Sequence, residues 1–255
     1  MTDGSAAGVA VVSGGGTGIG RATAAALAAE GMDVVILGRR AGVLRTAAEE
    51  INQHRPAGSG ELSWVRADVS DPAETAQAVD VIRDRHPVID VVVNNAGGSV
   101  RAGPGLEELA AAWLEAYRKN VLSAVLLTSA LLPLVRRPGG RVIIVGSRAA
   151  ATGGASPAYV AAKAALSGWV LALAAQVGPE GITANVVAPG YTAGTELLTG
   201  RMPADRHERI VAGIAAGRPA EPEEVAAVIR FLASADASYV SGQVLSVDGG
   251  VKPAG

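Results

Sequence analysis

Tyr159 and Lys163 lie four residues apart in an alanine-rich stretch that reads as helix. That spacing sets a phenol and an ammonium one turn apart on one face, with Ser156 and Pro157 as cap and first helical residue. A tyrosine near its ordinary pKa of about 10 is a poor base at neutral pH, and a neighbouring cation stabilises the phenolate. A tyrosine tuned in this way exchanges a proton with a substrate. The alternative is an amphipathic pair, the ring packed and the lysine stem laid along it. The chain has only three lysines among 22 basic residues, so a lysine in mid-helix stands out.

A second group lies near the amino terminus. Val9 to Ser13 is a β-type run that passes into Ser13-Gly14-Gly15-Gly16-Thr17-Gly18-Ile19-Gly20, and the helical pattern Ala22 to Glu30 follows directly, closed by Gly31. Glycines in such a turn let the backbone approach a pyrophosphate, and the helix start offers free N–H groups and a positive dipole end. A flexible strand-to-helix loop is the other reading. About twenty residues on, where a dinucleotide fold reads the adenosine ribose, the chain has Gly38, Arg39 and Arg40 in place of an acid. Guanidinium groups there suit a 2′-phosphate, so NADP(H) is preferred over NAD(H); a solvated basic turn is the alternative.

The elements that must position these groups follow a βαβ rhythm. Further strands are predicted at Val34 to Leu37, Ser63 to Ala67, Val88 to Val93, Arg141 to Val145, Thr183 to Ala188 and Val244 to Val247, all continuous apolar or β-branched runs. Such runs suit a parallel sheet covered on both faces. Helices are predicted near 43–54, 72–85, 107–136, 157–177, 203–216 and 222–233. The fold class is α/β, a single-domain Rossmann-like doubly wound parallel sheet in three αβα layers spanning 1–255. No repeat or linker divides the 255 residues.

Composition narrows the function. A net charge of −2 and a single Phe argue against nucleic acid as a partner. The absence of cysteine removes disulfides and thiolate chemistry, and His54, His86 and His207 are too scattered for a catalytic metal. Met1 to Ala10 lacks the pattern of a signal peptide, and the apolar run Val121 to Val135 is short for a bilayer. A soluble cytoplasmic protein without a membrane partner is expected.

Taken together, ordered segments along almost the whole chain resemble the short-chain dehydrogenase/reductase family. Ser13-Gly14 through Gly18-Ile19-Gly20 resembles its TGxxxGIG turn, with serine in place of threonine. Asp68-Val69 resembles its adenine-side acid, Asn94-Asn95-Ala96-Gly97 its NNAG segment, and Tyr159 to Lys163 its YxxxK. Asn120 falls at its helical asparagine, and Pro189-Gly190 with Val247-Asp248-Gly249-Gly250 match later motifs. The resemblance implies hydride transfer between a nicotinamide cofactor and a carbonyl carbon while Tyr159 exchanges the proton at oxygen. It further implies that Lys163 holds the nicotinamide ribose and lowers the Tyr159 pKa, that Ser147 donates to the substrate oxygen, and that Asn120 anchors a water. Cofactor contacts are expected from Ser13, Gly14, Gly16, Thr17, Gly18, Ile19, Gly20, Arg39, Arg40, Asp68, Val69, Asn95, Ala96, Gly97, Tyr159, Lys163, Pro189, Gly190 and Thr192. In the family the serine usually precedes the tyrosine by thirteen positions. Gly146 occupies that place here and Ser147 stands twelve before, which implies a one-residue deletion between Arg148 and Ala158.

A substrate lid is expected around 191–216, with Tyr191, Leu197, Leu198 and Met202 as apolar lining and Gly97 to Leu106, with Arg101, opposite. The motif pattern is similar to bacterial 3-oxoacyl thioester reductases, which implies a ketoreductase of 3-oxoacyl or polyketide-like substrates; a secondary-alcohol dehydrogenase is the alternative. A carrier-bound substrate would want a basic patch near the cleft, to which Arg101, Arg136, Arg137 and Arg148 contribute if they converge. The helices 107–136 and 157–177 resemble those that pair subunits in the family, so a homotetramer is expected, with a dimer as the alternative. A dinucleotide-binding regulatory protein without turnover and a structural subunit remain readings of other classes.

Overall fold

The computed structural model describes residues 8–194 and 204–250. Seven strands form one sheet in the order β3-β2-β1-β4-β5-β6-β7, every pair parallel. In chain order these are β1 (Val9–Ser13), β2 (Asp33–Gly38), β3 (Leu62–Arg66), β4 (Val91–Asn94), β5 (Arg141–Val145), β6 (Thr183–Pro189) and β7 (Val244–Val247). The central strands are apolar on both sides, as two covered faces require: Val11 and Val12 are both buried, as are all of β5 and β6. One buried cluster joins Val11, Val92, Val142 and Ile144 to helices on one face; another joins Val12, Val93, Ile143 and Val145 to helices on the opposite face. The expected doubly wound, three-layer architecture is therefore present.

The helices are α1 (Gly18–Ala29), α2 (Ala41–His54), α3 (Pro72–Arg85), α4 (Leu106–Tyr117), α5 (Ser123–Leu131), α6 (Ala149–Thr152), α7 (Pro157–Val177), α8 (Ala204–Ala212) and α9 (Pro222–Ala233). Local chemistry sets several ends. Asp71 caps α3 by accepting from the Glu74 amide at 2.9 Å, with Pro72 at the first position. Glu221 and Glu224 form a reciprocal box at the start of α9.

Two expectations need correction. The apolar stretch 107–136 is not one helix: Arg118–Leu122 forms a π-helical turn between α4 and α5, and a 3₁₀ turn, Leu132–Leu134, follows α5. A π turn accommodates one extra residue per turn, which rotates the later side chains relative to the earlier ones. The expected strand from Val88 shortens to Val91–Asn94, Ile89 retaining only a bridge to Val135. The run continues apolar there because Ile89 is buried beneath the sheet edge, not because the ladder extends.

By length and composition the helical segment Pro157–Glu180 could cross a membrane. Its buried residues nevertheless recur on one face, Tyr159, Lys163, Leu166, Val170, Leu173 and Val177, and several of them join the core. α7 packs on β6 as a core helix and carries the tyrosine and lysine to the carboxyl edge of the sheet.

Candidate active site at the carboxyl edge of the sheet

Strand order reverses between β1 and β4, and in open α/β sheets ligands bind at such switch points beyond the carboxyl ends of the strands. A cleft of about 1300 Å³ lies there. Gly14, Gly16, Thr17, Gly18 and Ile19 line one end, with Arg39, Arg40, Asp68 and Val69 beside them. Ala96, Gly97, Ser147, Tyr159, Lys163, Pro189, Gly190 and Thr192 line the other.

The turn after β1 is held from below. The Ser13 hydroxyl accepts the amides of Asn95 and Ala96, each at 3.0 Å, and the Asn95 side-chain amide donates to the carbonyls of Ser13 (3.0 Å) and Gly14 (3.2 Å). Gly14 has φ +65°, and a Cβ on Gly20 would run into the Gly14 carbonyl oxygen. Ser13 is 2% exposed, and neither it nor Gly20 lines the cleft. In this structure both support the turn from behind. Thr17 precedes α1 without a side-chain cap, so the first amides of the helix stay available to an anion, with Gly18 and Ile19 at the cleft wall.

At the adenosine end, Arg39 follows β2 and Arg40 precedes α2. The Asp68 carboxylate accepts from the Ser70 amide at 3.0 Å and hydroxyl at 2.5 Å, and Arg118 lies 3.6 Å from its other oxygen. Burial pushes this carboxyl up, but the Ser70 bonds and the Arg118 charge outweigh it and hold the group below its ordinary value. Ser70 and Arg118 were not evident as members of the site. Arg118 lies on the π turn, fifty residues from Asp68, and no local pattern marks the contact.

At the catalytic end, Tyr159 and Lys163 are 7% and 5% exposed. Lys163 Nζ donates to the Val145 carbonyl at 2.8 Å and stands 5.9 Å from the Tyr159 ring centre. Burial pushes the Tyr159 phenol up, and polar contact with Ser147 draws it partly back. Burial also depresses Lys163, from 10.5 to about 8. Both groups resist charge because little water reaches them, and the expected lowering of Tyr159 by Lys163 does not appear in this geometry. Gly97 is small for a reason: a Cβ there would lie 2.7 Å from Asn120 Oδ1 and 3.3 Å from Lys163 Nζ.

Asn120 sits in the π turn, and its side chain closes a clamp on Gly98. Oδ1 accepts from the Gly98 amide at 3.1 Å, while Nδ2 donates to the carbonyls of Gly98 and Ala116, each at 2.9 Å. It does not line the cleft. At Gly146 a Cβ would meet Val186 Cγ1 at 2.7 Å, so a side chain there would require that valine to shift, while Ser147, one residue on, lines the cleft with Tyr159. Thr192 is buried beside the cleft. Beyond β6, Tyr191 bonds His207 of α8 through its hydroxyl at 2.6 Å; Leu197, Leu198 and Met202, expected in a lid, lie outside the described residues. The four arginines do not converge. Arg101 and Arg148 reach the cleft, whereas Arg136 and Arg137 pair with Asp90 and Glu180 at the opposite, amino-terminal edge.

A family model described as Enoyl-(Acyl carrier protein) reductase matches residues 14–252. The chain is 38% identical over 251 residues to a 3-oxoacyl-[acyl-carrier-protein] reductase of Synechocystis, covering 95% of this chain and 96% of that one. It is 39% identical over 245 residues to cis-4-hydroxycyclohexanecarboxylate dehydrogenase of Sinomonas cyclohexanicum, covering 95% of each. The crystal structure of a blue fluorescent protein from a metagenomic library in complex with NADPH superposes with a TM-score of 0.84 at 34% identity, covering 95% of this chain and 97% of that one. The protein belongs to the short-chain dehydrogenase/reductase family and is an NAD(P)H-dependent oxidoreductase.

The depressed Lys163 yields a signed prediction. Between pH 8 and 10.5 the unfolded chain keeps a proton that the folded chain has released, so this residue makes stability rise with pH across that window. Urea unfolding of wild type and Lys163→Met at pH 8 and pH 10 is expected to show wild type gaining about 1–3 kcal/mol relative to the variant. Equal changes in the two proteins would show that Lys163 titrates normally.

Proposed function

We propose that the protein is an NADPH-dependent ketoreductase of 3-oxoacyl or polyketide-like substrates. The observation that carries this reading is the convergence of Ser147, Tyr159 and Lys163 in one cleft with the glycine turn and the uncapped start of α1. The residues fit a dinucleotide: free helical amides for a pyrophosphate, Arg39 and Arg40 for a 2′-phosphate, and the Asp68 and Val69 wall for the adenine. When bound, the nicotinamide supplies or accepts the hydride.

The chain's own groups do the rest. Ser147 donates to the carbonyl oxygen and orients it, and Tyr159 gives that oxygen its proton as the alcohol forms. Lys163 holds the nicotinamide ribose and supplies positive charge beside the phenol. Asn120 keeps the Gly97-Gly98 segment against Lys163, which positions the lysine; a water held at this turn links it to solvent. A phenol pushed up by burial stays protonated across neutral pH, which favours donation and therefore reduction. The name of the Sinomonas relative favours a second reading, oxidation of a secondary alcohol on the same site.

Residues 191–216 act as the lid of a single domain spanning 1–255. A carrier-bound substrate remains within this reading only through Arg101, since Arg136 and Arg137 face away and Arg148 is paired with Asp248. The outer face of α4 exposes Leu106, Leu109, Trp113, Leu114 and Tyr117, and α7 exposes Leu171, surfaces suited to pairing copies into a homotetramer, with a dimer as the alternative. The protein works in the cytoplasm, with no nucleic acid, membrane or metal.

Turnover with NADPH and NADH against acetoacetyl thioesters, cyclic ketones and secondary alcohols tests the reading; thioester reduction is expected to be fastest, and its absence beside rapid alcohol oxidation would favour the second reading. Arg39→Asp should raise the KM for NADPH at least tenfold more than that for NADH, and equal effects would remove the 2′-phosphate assignment. Sedimentation at working concentration should give a tetramer, and a monomer would reject the pairing surfaces.

A further inference from the structure

We infer that Arg148, through its ion pair with Asp248, is the positioning residue that sets Ser147 against Tyr159; the inference rests on the oxidoreductase reading above. Ser147 stands twelve residues before Tyr159, and its hydroxyl accepts from the Ala149 amide at 3.2 Å. A charge pair holds the residue between them. Arg148 Nε lies 2.5 Å from Oδ2 of Asp248, and the pair is partly buried in the cleft wall. The Arg148 amide also donates to the Pro189 carbonyl at 2.8 Å, and the Gly146 amide to that of Val187 at 2.7 Å. Ser147 therefore hangs between two backbone bonds to the end of β6, with a charge pair to the end of β7 immediately beyond it.

Asp248 is itself anchored. Its Oδ1 accepts from the Gly250 amide at 3.1 Å, and its backbone packs against Gly190, where a Cβ would come within 2.8 Å. The carbonyls of Gly249 and Gly250 accept from Ala216 (3.0 Å) and Ala215 (2.8 Å), just beyond α8. One carboxylate thus joins the serine loop to the root of the lid. Removing the guanidinium would leave a partly desolvated carboxylate beside the reacting groups and free the loop to drift. A shift of about 1 Å in such a group costs on the order of a hundredfold in rate.

Arg148→Ala and Arg148→Lys are the test, read by steady-state kinetics, thermal unfolding and the ultraviolet titration of Tyr159, isolated by subtracting the Tyr159→Phe protein. Arg148→Ala is expected to lower kcat at least tenfold, leave the KM for NADPH within twofold and raise the Tyr159 pKa, because the Ser147 contact that lowers it is lost. Arg148→Lys is expected to recover kcat to within about threefold. Unchanged kcat and an unchanged tyrosine titration in Arg148→Ala would overturn the inference, as would equal losses in both variants accompanied by a fall in Tm. If wild type turns over no carbonyl or alcohol, the oxidoreductase reading fails separately; the tyrosine titration still decides whether Arg148 sets the Ser147 contact.

Discussion

One small hydroxyl fixes the distance on which the site is built. Ser13 accepts the amides of Asn95 and Ala96 while Asn95 returns two bonds to the carbonyls of Ser13 and Gly14. This clasp joins the turn after β1 to the turn after β4 where the sheet reverses direction. Each bond contributes only about 1 kcal/mol net, but an unsatisfied buried partner costs more, so the group holds or fails together. Gly20 can come down onto Gly14 only because neither residue has a side chain, and the same clasp leads the chain directly to Gly97, beside Lys163 and Asn120. Nucleotide end and catalytic end are thereby two consequences of one local geometry.

Much of this was legible in the sequence where local chemistry decides the outcome. The bounds of β1, β5, β7, α3, α7 and α9 follow from β-branched runs, from Pro72, Pro157 and Pro222 at first helical positions, and from the capping acids. The π turn was not legible. Its residues, Arg118 to Leu122, sit inside an unbroken helical pattern, and the extra residue becomes necessary only because Asn120 must face Gly98 while α5 returns its apolar side to the sheet. Lengths and periodicity cannot report a constraint that arises from a partner twenty-two residues away.

The site shows the same division. The glycine turn and the Tyr159–Lys163 spacing are local signals, and both groups meet in the cleft. A motif, however, records that a residue type is needed without recording why. Ser13 and Gly20 support the turn, and Asn120 forms a clamp, although Ser13 and Gly20 stand in a segment shared with cleft-lining neighbours. Charge is less legible still. Arg118 reaches Asp68, Arg148 reaches Asp248, and Arg136 and Arg137 turn to the opposite edge, each according to which carboxylate the fold brings near.

Burial gives Tyr159 and Lys163 a common cause for opposite shifts. A phenol raised and an ammonium lowered both reflect the cost of charge in a place with little water. Lys163, lowered only to about 8, keeps its charge at neutral pH, and its ammonium donates to the Val145 carbonyl at the end of β5. The phenol, pushed up by burial more than its contact with Ser147 draws it back, stays protonated. In this arrangement Tyr159 yields its proton only to a strong base, and on the reading proposed above that base is the developing alkoxide of the substrate. On the second reading proposed above, alcohol oxidation, the same phenol must first release its proton toward solvent. Among the described residues the Asn120 turn packs against Gly97 and Gly98 on the Lys163 side, so the π turn bears on how closely that segment can approach the ammonium.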